Sequence, residues 1–334
     1  MTRPLLAIRD LTVGFATDAG PVTVVDGIDL DIGVGEVVGL VGESGSGKSV
    51  TLRAIPRLLA RNATLHGSVA WQGRELTDLS EPELRLVRGR EIAMIFQEPM
   101  AALNPVLPIG LQIEESLETH LALRGRAARG RAAELLAMVG IADAKHRLSA
   151  FPHEFSGGMR QRVMIAIALA AGPKLLLADE PTTALDVTIQ DQILKLLLRL
   201  RRELEMSIIL VTHDLAVVAR SCDRVAVLYA GRIMEVGPVA EILRRPAHAY
   251  TRGLIGAVPA SHRPRETLTN IPGSPPSLLA LADGCRFAPR CSFVEEACRT
   301  GRLEPRPLTS DHLTSCLRAD AVLGASRPAM GEPA

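Results

Sequence analysis

The chain has 334 residues, a formal net charge of +1 and a pI near 7.7, which is room for one large domain plus an appendage. So balanced a charge offers no basic field for nucleic acid and no acidic tail for a basic partner. Aromatic residues make up only 3%, so the core must be aliphatic, which suits a helix-covered parallel α/β sheet better than an aromatic-rich β-sandwich.

The opening Met1-Thr2-Arg3-Pro4-Leu5 lacks the apolar region of a signal peptide. Residues 5–32 alternate like antiparallel strands: Leu5–Ile8, Leu11–Val13 and Val22–Val25, with a turn at Asp18-Ala19-Gly20-Pro21. Val37–Val41 is a short apolar run that reads as a buried strand, and a helix is expected from Lys48 to Leu59. Ile92–Phe96 is a second buried strand. Residues 98–171 are largely helical in pattern, punctuated by Pro105, Pro108, Gly130 and Pro152, as in a helical insertion into a sheet domain.

The longest apolar run, Val163 to Gly172, is stopped by Pro173 and Lys174, too short for a membrane span; a cytosolic or peripheral protein is expected. Leu175–Asp179 is a third buried strand. From Val187 to Leu204 one helical face carries Ile189, Ile193, Leu196, Leu197, Leu200 and Leu204. Ser207–Thr212 and Arg224–Tyr229 continue a strand–helix alternation. Beyond about residue 260 the texture shifts to Pro, Arg and Gly, so residues 1–260 read as the main domain and 261–334 as an extension.

Three motifs carry chemistry. Gly42-Glu43-Ser44-Gly45-Ser46-Gly47-Lys48-Ser49 satisfies G-x-x-x-x-G-K-[ST] between a strand and a helix. Its glycines let backbone N–H groups wrap phosphate oxygens, with Lys48 placed for the β- and γ-phosphates and Ser49 for Mg²⁺. Asp179 and Glu180 end an apolar strand, the first suited to hold Mg²⁺ and its hydration shell, the second to polarise an attacking water. Phe155-Ser156-Gly157-Gly158-Met159 opens a helix and offers a second phosphate-binding element. Gln97 and His213 each follow a buried strand, where ligands gather in such sheets. Read alone, each would more simply be a surface or structural residue.

The order phosphate loop, Gln97, Ser-Gly-Gly, Asp179-Glu180, Ala184-Leu185-Asp186, His213 resembles the ATP-binding subunit of ABC transporters over residues 5–260. The resemblance implies an α/β P-loop NTPase of ABC type, with an antiparallel β subdomain, a helical subdomain and here a cysteine-containing C-terminal extension. It implies ATP and Mg²⁺ as cofactors. Gln97 becomes the Q-loop glutamine that reaches the metal, Leu175–Glu180 the Walker B strand, Ala184–Asp186 the D-loop and His213 the switch histidine. Phe15 becomes the aromatic that stacks on adenine, although a Phe there could equally be core. Phe155 and Met159 depart from the common Leu-Ser-Gly-Gly-Gln, while Ser156, Gly157 and Gly158 are intact and would contact ATP held by a partner subunit.

Phe96–Pro105 and His248–Leu254 further resemble the dipeptide/oligopeptide importer ATPases. Relatives of that group import peptides, nickel chelates, glutathione, opines or oligosaccharides. The implied partners are a paralogous ATPase subunit, two permease subunits and a solute-binding protein, at the cytoplasmic face of a bacterial inner membrane. Chromosome-maintenance ATPases need a long coiled-coil arm that the interval from Ser49 to Ser156 does not hold. Soluble translation-type members carry two phosphate loops. A GTPase needs Asn-Lys-x-Asp, and none of Asn62, Asn104 and Asn270 precedes Lys.

Of five cysteines, Cys222 stands alone and reads as core. Cys285, Cys291, Cys298 and Cys316 crowd the extension with intervals of 5, 6 and 17 residues. Four thiolates suit zinc or an iron–sulfur cluster, and four free buried thiols are the plainer reading. The missing C-x2-C knuckle weighs against zinc, and the resemblance implies a 4Fe–4S cluster.

Overall fold

The computed structural model describes residues 3–97, 102–183, 185–257, 271–279, 281 and 283–325. The chain divides into two compact units: Met1–Ile32, Val37–Thr77 and Val211–Ala334 form one, Gly33–Glu36 and Asp78–Leu210 the other.

In the first unit, β1 (Leu6–Thr17), β2 (Gly20–Ile32), β4 (Ala63–Trp71) and β5 (Arg74–Glu75) form an antiparallel sheet in the order β2-β1-β4-β5. The expected turn closes the first hairpin, with Thr17 opposite Gly20. The two short strands expected over residues 5–13 are one: the register shifts between Ile8 and Leu11, and Asp10 turns left-handed at φ 45°. A bulge thus absorbs the exposed Arg9-Asp10 pair without ending the strand. The same unit holds β3 (Val37–Val41), β9 (Arg224–Tyr229), β10 (Arg232–Pro238), β11 (Arg306–Pro307) and β12 (Leu313–Thr314), in the order β11-β12-β10-β9-β3. β3 and β9 run parallel and the other neighbours antiparallel. β3 is buried throughout, as its unbroken apolar run requires.

The helix after β3 spans Lys48–Ala54 and stops short of Leu59. Pro56 cannot donate the next helical hydrogen bond and Arg57 turns left-handed at φ 54°. Trp71, Tyr229 and Tyr250 are among the largest fully buried side chains of this unit.

In the second unit, β6 (Ile92–Ile95), β7 (Leu175–Asp179) and β8 (Ser207–Val211) lie in the order β8-β7-β6, with β6 and β7 parallel. Between β6 and β7 run the helices Ile109–Leu121, Gly125–Met138, Ala144–Arg147 and Gly157–Leu169, so the helical character expected there is present. The helix Val187–Glu203 buries Ile193, Leu196, Leu197 and Leu200 of the expected face, and Leu194 beside them, while Ile189 and Leu204 are half-buried. Asp186 caps it, the carboxylate accepting from the Ile189 N–H at 2.9 Å. No helix among the described residues is long and apolar enough to cross a membrane.

Candidate functional site

The loop from Gly42 to Gly47 joins β3 to the helix Lys48–Ala54, as the motif requires. Its shape depends on residues without side chains. Gly42 adopts φ 153°, and a Cβ there would lie 2.1 Å from the Leu228 carbonyl oxygen; Gly47 adopts φ 101°, and a Cβ would lie 2.9 Å from the Val24 carbonyl oxygen. Lys48 folds back across the loop, its buried ammonium donating to the carbonyls of Gly42 (2.8 Å) and Glu43 (2.9 Å). The Gly47 N-cap supplies no side-chain acceptor, so the first N–H groups of the helix keep the polarity that favours an anion. A tight Gly-lined turn, a cation over its centre and an uncapped helix start together fit a polyphosphate. Ser49, the second helical residue, is half-buried beside this turn.

Phe15 is half-buried on β1, opposite Val22 of β2 and Ala63 of β4. His213 is exposed, following Thr212, whose N–H donates to the Leu40 carbonyl of β3 at 3.3 Å. It therefore sits beyond the end of a buried strand, and Asp214 begins the next helix by accepting from the N–H groups of Ala216 and Val217.

In the second unit, Asp179 is fully buried at the C-terminal end of β7. A buried carboxylate needs cationic or hydrogen-bonding company, and its hard oxygens match the ligand preference of Mg²⁺. Glu180 follows with φ 45°, a left-handed turn that re-aims its side chain away from the strand. The Thr183 hydroxyl donates to its Oε2 at 2.7 Å, and the Gln97 amide reaches the same oxygen at 3.4 Å. Gln97, just past β6, is thus brought to Glu180, a contact the motif order did not specify. Thr183 is a contact that the motif reading did not single out.

Ser156 and Gly157 are exposed at the start of the helix Gly157–Leu169, and the Ser156 hydroxyl caps it by accepting from Met159 N–H at 3.4 Å. A Cβ on Gly158 would lie 2.7 Å from Ile189 Cγ2, so that glycine is where this helix packs on Val187–Glu203. Phe155, the departure from the common motif, is 2% exposed and serves the core. Ala184 and residues 98–101 lie outside the described residues.

Residues 25–183 match the family model described as ABC transporter, and residues 234–298 match that of the oligopeptide/dipeptide transporter C-terminal region. The chain is 48% identical over 309 residues to the oligopeptide transport ATP-binding protein OppD of Haemophilus influenzae, covering 92% of this chain and 95% of that one. It is 49% identical to Escherichia coli OppD over 88% of this chain and 87% of the other. A provisionally named peptide import ATP-binding protein of Brucella abortus is 51% identical, over 92% of each. The chain belongs to the oligopeptide/dipeptide family of ABC transporter ATP-binding proteins.

Its fold is that of the ABC ATPase cassette. The ATP-binding cassette MJ0796, solved as a dimer in a post-hydrolysis state bound to ADP and Pi, superposes with a TM-score of 0.63 at 31% identity, over 70% of this chain and 98% of that one. CbiO1 of Clostridium perfringens, part of the transporter complex CbiONQ, gives 0.62 at 28% identity, over 73% and 92% of the two chains. As a member of this family the chain is an ATPase.

The metal centre expected in the extension is not supported by the described residues. Among the described residues, no group of three or more His, Cys, Asp or Glu side chains is placed to hold a metal ion. Cys285, Cys291, Cys298 and Cys316 do approach one another, lining a cavity of about 10 Å³ with His248 and Phe293. Burial pushes the Cys285 thiol up to about 11, helped by the neighbouring cysteines, and also raises Cys291 and Cys316. The thiolate is the metal ligand, and burial disfavours it at Cys285, Cys291 and Cys316, which pack with Phe287 and Ile255 in an apolar cluster. The described residues therefore support neither the 4Fe–4S cluster nor zinc; the four cysteines form no disulfide, with Cys298 and Cys316 buried and Cys285 and Cys291 half-buried. Cys222 is core, its thiol pushed up to about 12 by burial.

The sequence also gave no warning of a brace on the phosphate loop. Arg290 and Tyr250, both from the C-terminal part, bind Glu43. The only available signal was the segment His248–Leu254, which the family resemblance marks without saying what it touches.

Proposed function

We infer that this chain is the ATP-hydrolysing subunit that powers import of peptides through an ABC transporter. The carrying observation is the strand–loop–helix of residues 37–54, with Lys48 folded over a turn whose glycines admit no side chain. In this reading Gly42–Ser49 hold the phosphates, Phe15 faces the adenine, and His213 approaches the terminal phosphate. Ser49, Gln97 and Asp179 would hold Mg²⁺. Bound MgATP supplies the transferable phosphoryl group and the charge-neutralising metal. Glu180 takes the proton of the attacking water, its carboxylate oriented by the Thr183 hydroxyl and the Gln97 amide. Ser156, Gly157 and Gly158, the first two exposed at a helix start, complete the ATP site of a second subunit, which makes closure of a dimer part of the reaction.

That second subunit is a paralogous ATPase, and the pair docks beneath two permease subunits served by a solute-binding protein. The chain then lies peripherally at the cytoplasmic face of the membrane. Residues 1–260 form the ATP-binding domain, with residues 98–171 as the helical part facing the permeases, and residues 261–334 form a C-terminal extension.

Glu180→Gln tests the chemistry. It keeps the size and the Thr183 contact but removes the base, so ATP binding should persist while hydrolysis falls by roughly 10²–10⁴-fold. Steady-state phosphate release beside nucleotide binding measures both, and near-normal turnover would remove Glu180 from the role of base.

A further inference from the structure

Arg290 lies between Cys285 and Cys291, in sequence far from the phosphate loop, yet its guanidinium is committed to that loop. Nη1 donates to Glu43 Oε2 at 2.7 Å and Nη2 to Glu43 Oε1 at 3.0 Å, a two-pronged pair in which the Arg290 side chain is 6% exposed. The other donors are also used. Nη1 reaches the Tyr229 hydroxyl at 3.1 Å, Nε the Pro272 carbonyl at 2.7 Å and Nη2 the Ile271 carbonyl at 3.4 Å. The guanidinium further lies 5.7 Å from the Tyr229 ring centroid and 5.8 Å from that of Phe287. Five N–H groups, five contacts and two rings fix the plane of this fork, so it can set the position of the carboxylate it grips.

Glu43 is the first variable residue of the loop, directly after Gly42, and each of its handles is taken. Arg290 holds its carboxylate. Its N–H donates to the Tyr250 hydroxyl at 2.8 Å, and its carbonyl accepts from the Lys48 ammonium at 2.9 Å. One residue therefore links the phosphate-loop lysine to an arginine and a tyrosine from beyond β10. A rotation of Glu43 would move the carbonyl that holds Lys48.

We propose that Arg290 is a positioning residue for ATP binding: by fixing Glu43 it sets the phosphate loop and the resting place of Lys48, so the C-terminal segment is a working part of its own chain's nucleotide site. This rests on the ATP-site reading above and extends it to a residue outside every motif. The brace matters because preorganised donors bind an anion without first having to be ordered.

The test uses the full chain and MgATP. Arg290→Met keeps the length of the stem and removes the fork; Arg290→Lys keeps the charge without the two-pronged geometry. Nucleotide affinity is measured by calorimetry, and KM and kcat by phosphate release, with thermal melting recorded on the same samples. The expected result is a roughly tenfold weaker affinity in Arg290→Met, about 1.4 kcal/mol, appearing in KM while kcat in saturating ATP changes little. Arg290→Lys should recover part of the loss. Glu43→Gln combined with Arg290→Met should bind no worse than Arg290→Met alone, because the two residues act as one unit. A merely structural arginine would lower the melting temperature and the active fraction without this KM-selective loss. Affinity within twofold of wild type in both Arg290 variants, or additive losses in the double variant, would overturn the proposal. Lys48→Ala separates the two levels. If it also binds normally, the ATP site itself is misplaced; if it alone loses binding, only the role of Arg290 falls.

Discussion

Gly42 and Gly47 occupy left-handed backbone at points where the chain passes against a neighbouring carbonyl. Gly42 is the more demanding, because a Cβ would meet the Leu228 oxygen at 2.1 Å and backbone cannot swing aside as a side chain can. Gly42→Ala should therefore cost about 1–3 kcal/mol in backbone strain alone, with the clash added. It should lower the melting temperature by several degrees and abolish nucleotide binding, both measurable in one thermal-shift titration. A variant that melts and binds as wild type would mean the loop is looser than its geometry indicates. At the same scale, Glu180 owes its direction to a left-handed turn that no residue-type preference announces. Glutamate has no intrinsic taste for φ 45°, so the conformation is imposed by what surrounds it.

At the level of elements, the helix Gly157–Leu169 joins two demands in one sequence. Phe155 and Gly158 face inward, the first into the core and the second against Ile189, while Ser156 and Gly157 stay exposed at the N-terminus. The helix is thus anchored by residues adjacent to those it displays. Ser156→Arg places a long cation at the exposed end without touching the Phe155 or Gly158 contacts. Loss of the cap should cost about 1 kcal/mol, and ATP binding to the isolated chain should stay within twofold of wild type. ATPase activity of the assembled transporter should fall at least tenfold. Equal loss of binding in the isolated chain would place Ser156 in its own subunit's site instead of a partner's.

Across the whole chain, the C-terminal residues are tied to the N-terminal ones by charge as well as by strand pairing. Asp26 of β2 receives Arg232 at 2.8 Å and also Arg286, and these arginines hold its carboxylate below its usual range against the opposing effect of burial. Buried Glu235 of β10 accepts from His312 Nε2 at 2.7 Å and from the N–H groups of Ala247 (2.7 Å) and His248 (3.0 Å). His248 is itself buried, its Nδ1 accepting from Tyr250 N–H at 3.0 Å and its Nε2 3.8 Å from Cys285 Sγ. Burial pushes its pKa down to about 4. The unfolded chain then binds the extra proton first, so the contribution of His248 is fully present above its unfolded value near 6.5 and is lost as pH falls towards 4. The melting-temperature advantage of wild type over His248→Gln should accordingly shrink between pH 7 and pH 4.5. An advantage unchanged across that window would show that His248 does not titrate with unfolding.

The division between what sequence and tertiary structure determine follows from range. The phosphate loop, the buried strands β3 and β7, the helix Val187–Glu203 and the Ser-Gly-Gly that opens a helix were legible because each is specified within a few residues by spacing, apolar runs or glycine. Gln97 was singled out only through motif order, and its contact with Glu180 was not foreseen. β4 and β10 were not foreseen, since a strand's stability comes from cross-strand neighbours that are distant in sequence. The cysteines show the limit most clearly. Sequence crowding marked a shared location, but ligand geometry and thiol ionisation depend on the packed surroundings, and burial disfavours the thiolate at Cys285, Cys291 and Cys316. Likewise nothing local to Arg290 points to Glu43, 247 residues away. Only the folded chain brings the fork and the carboxylate together, because a long-range contact is fixed by the packing of whole elements and leaves no periodic trace in either segment.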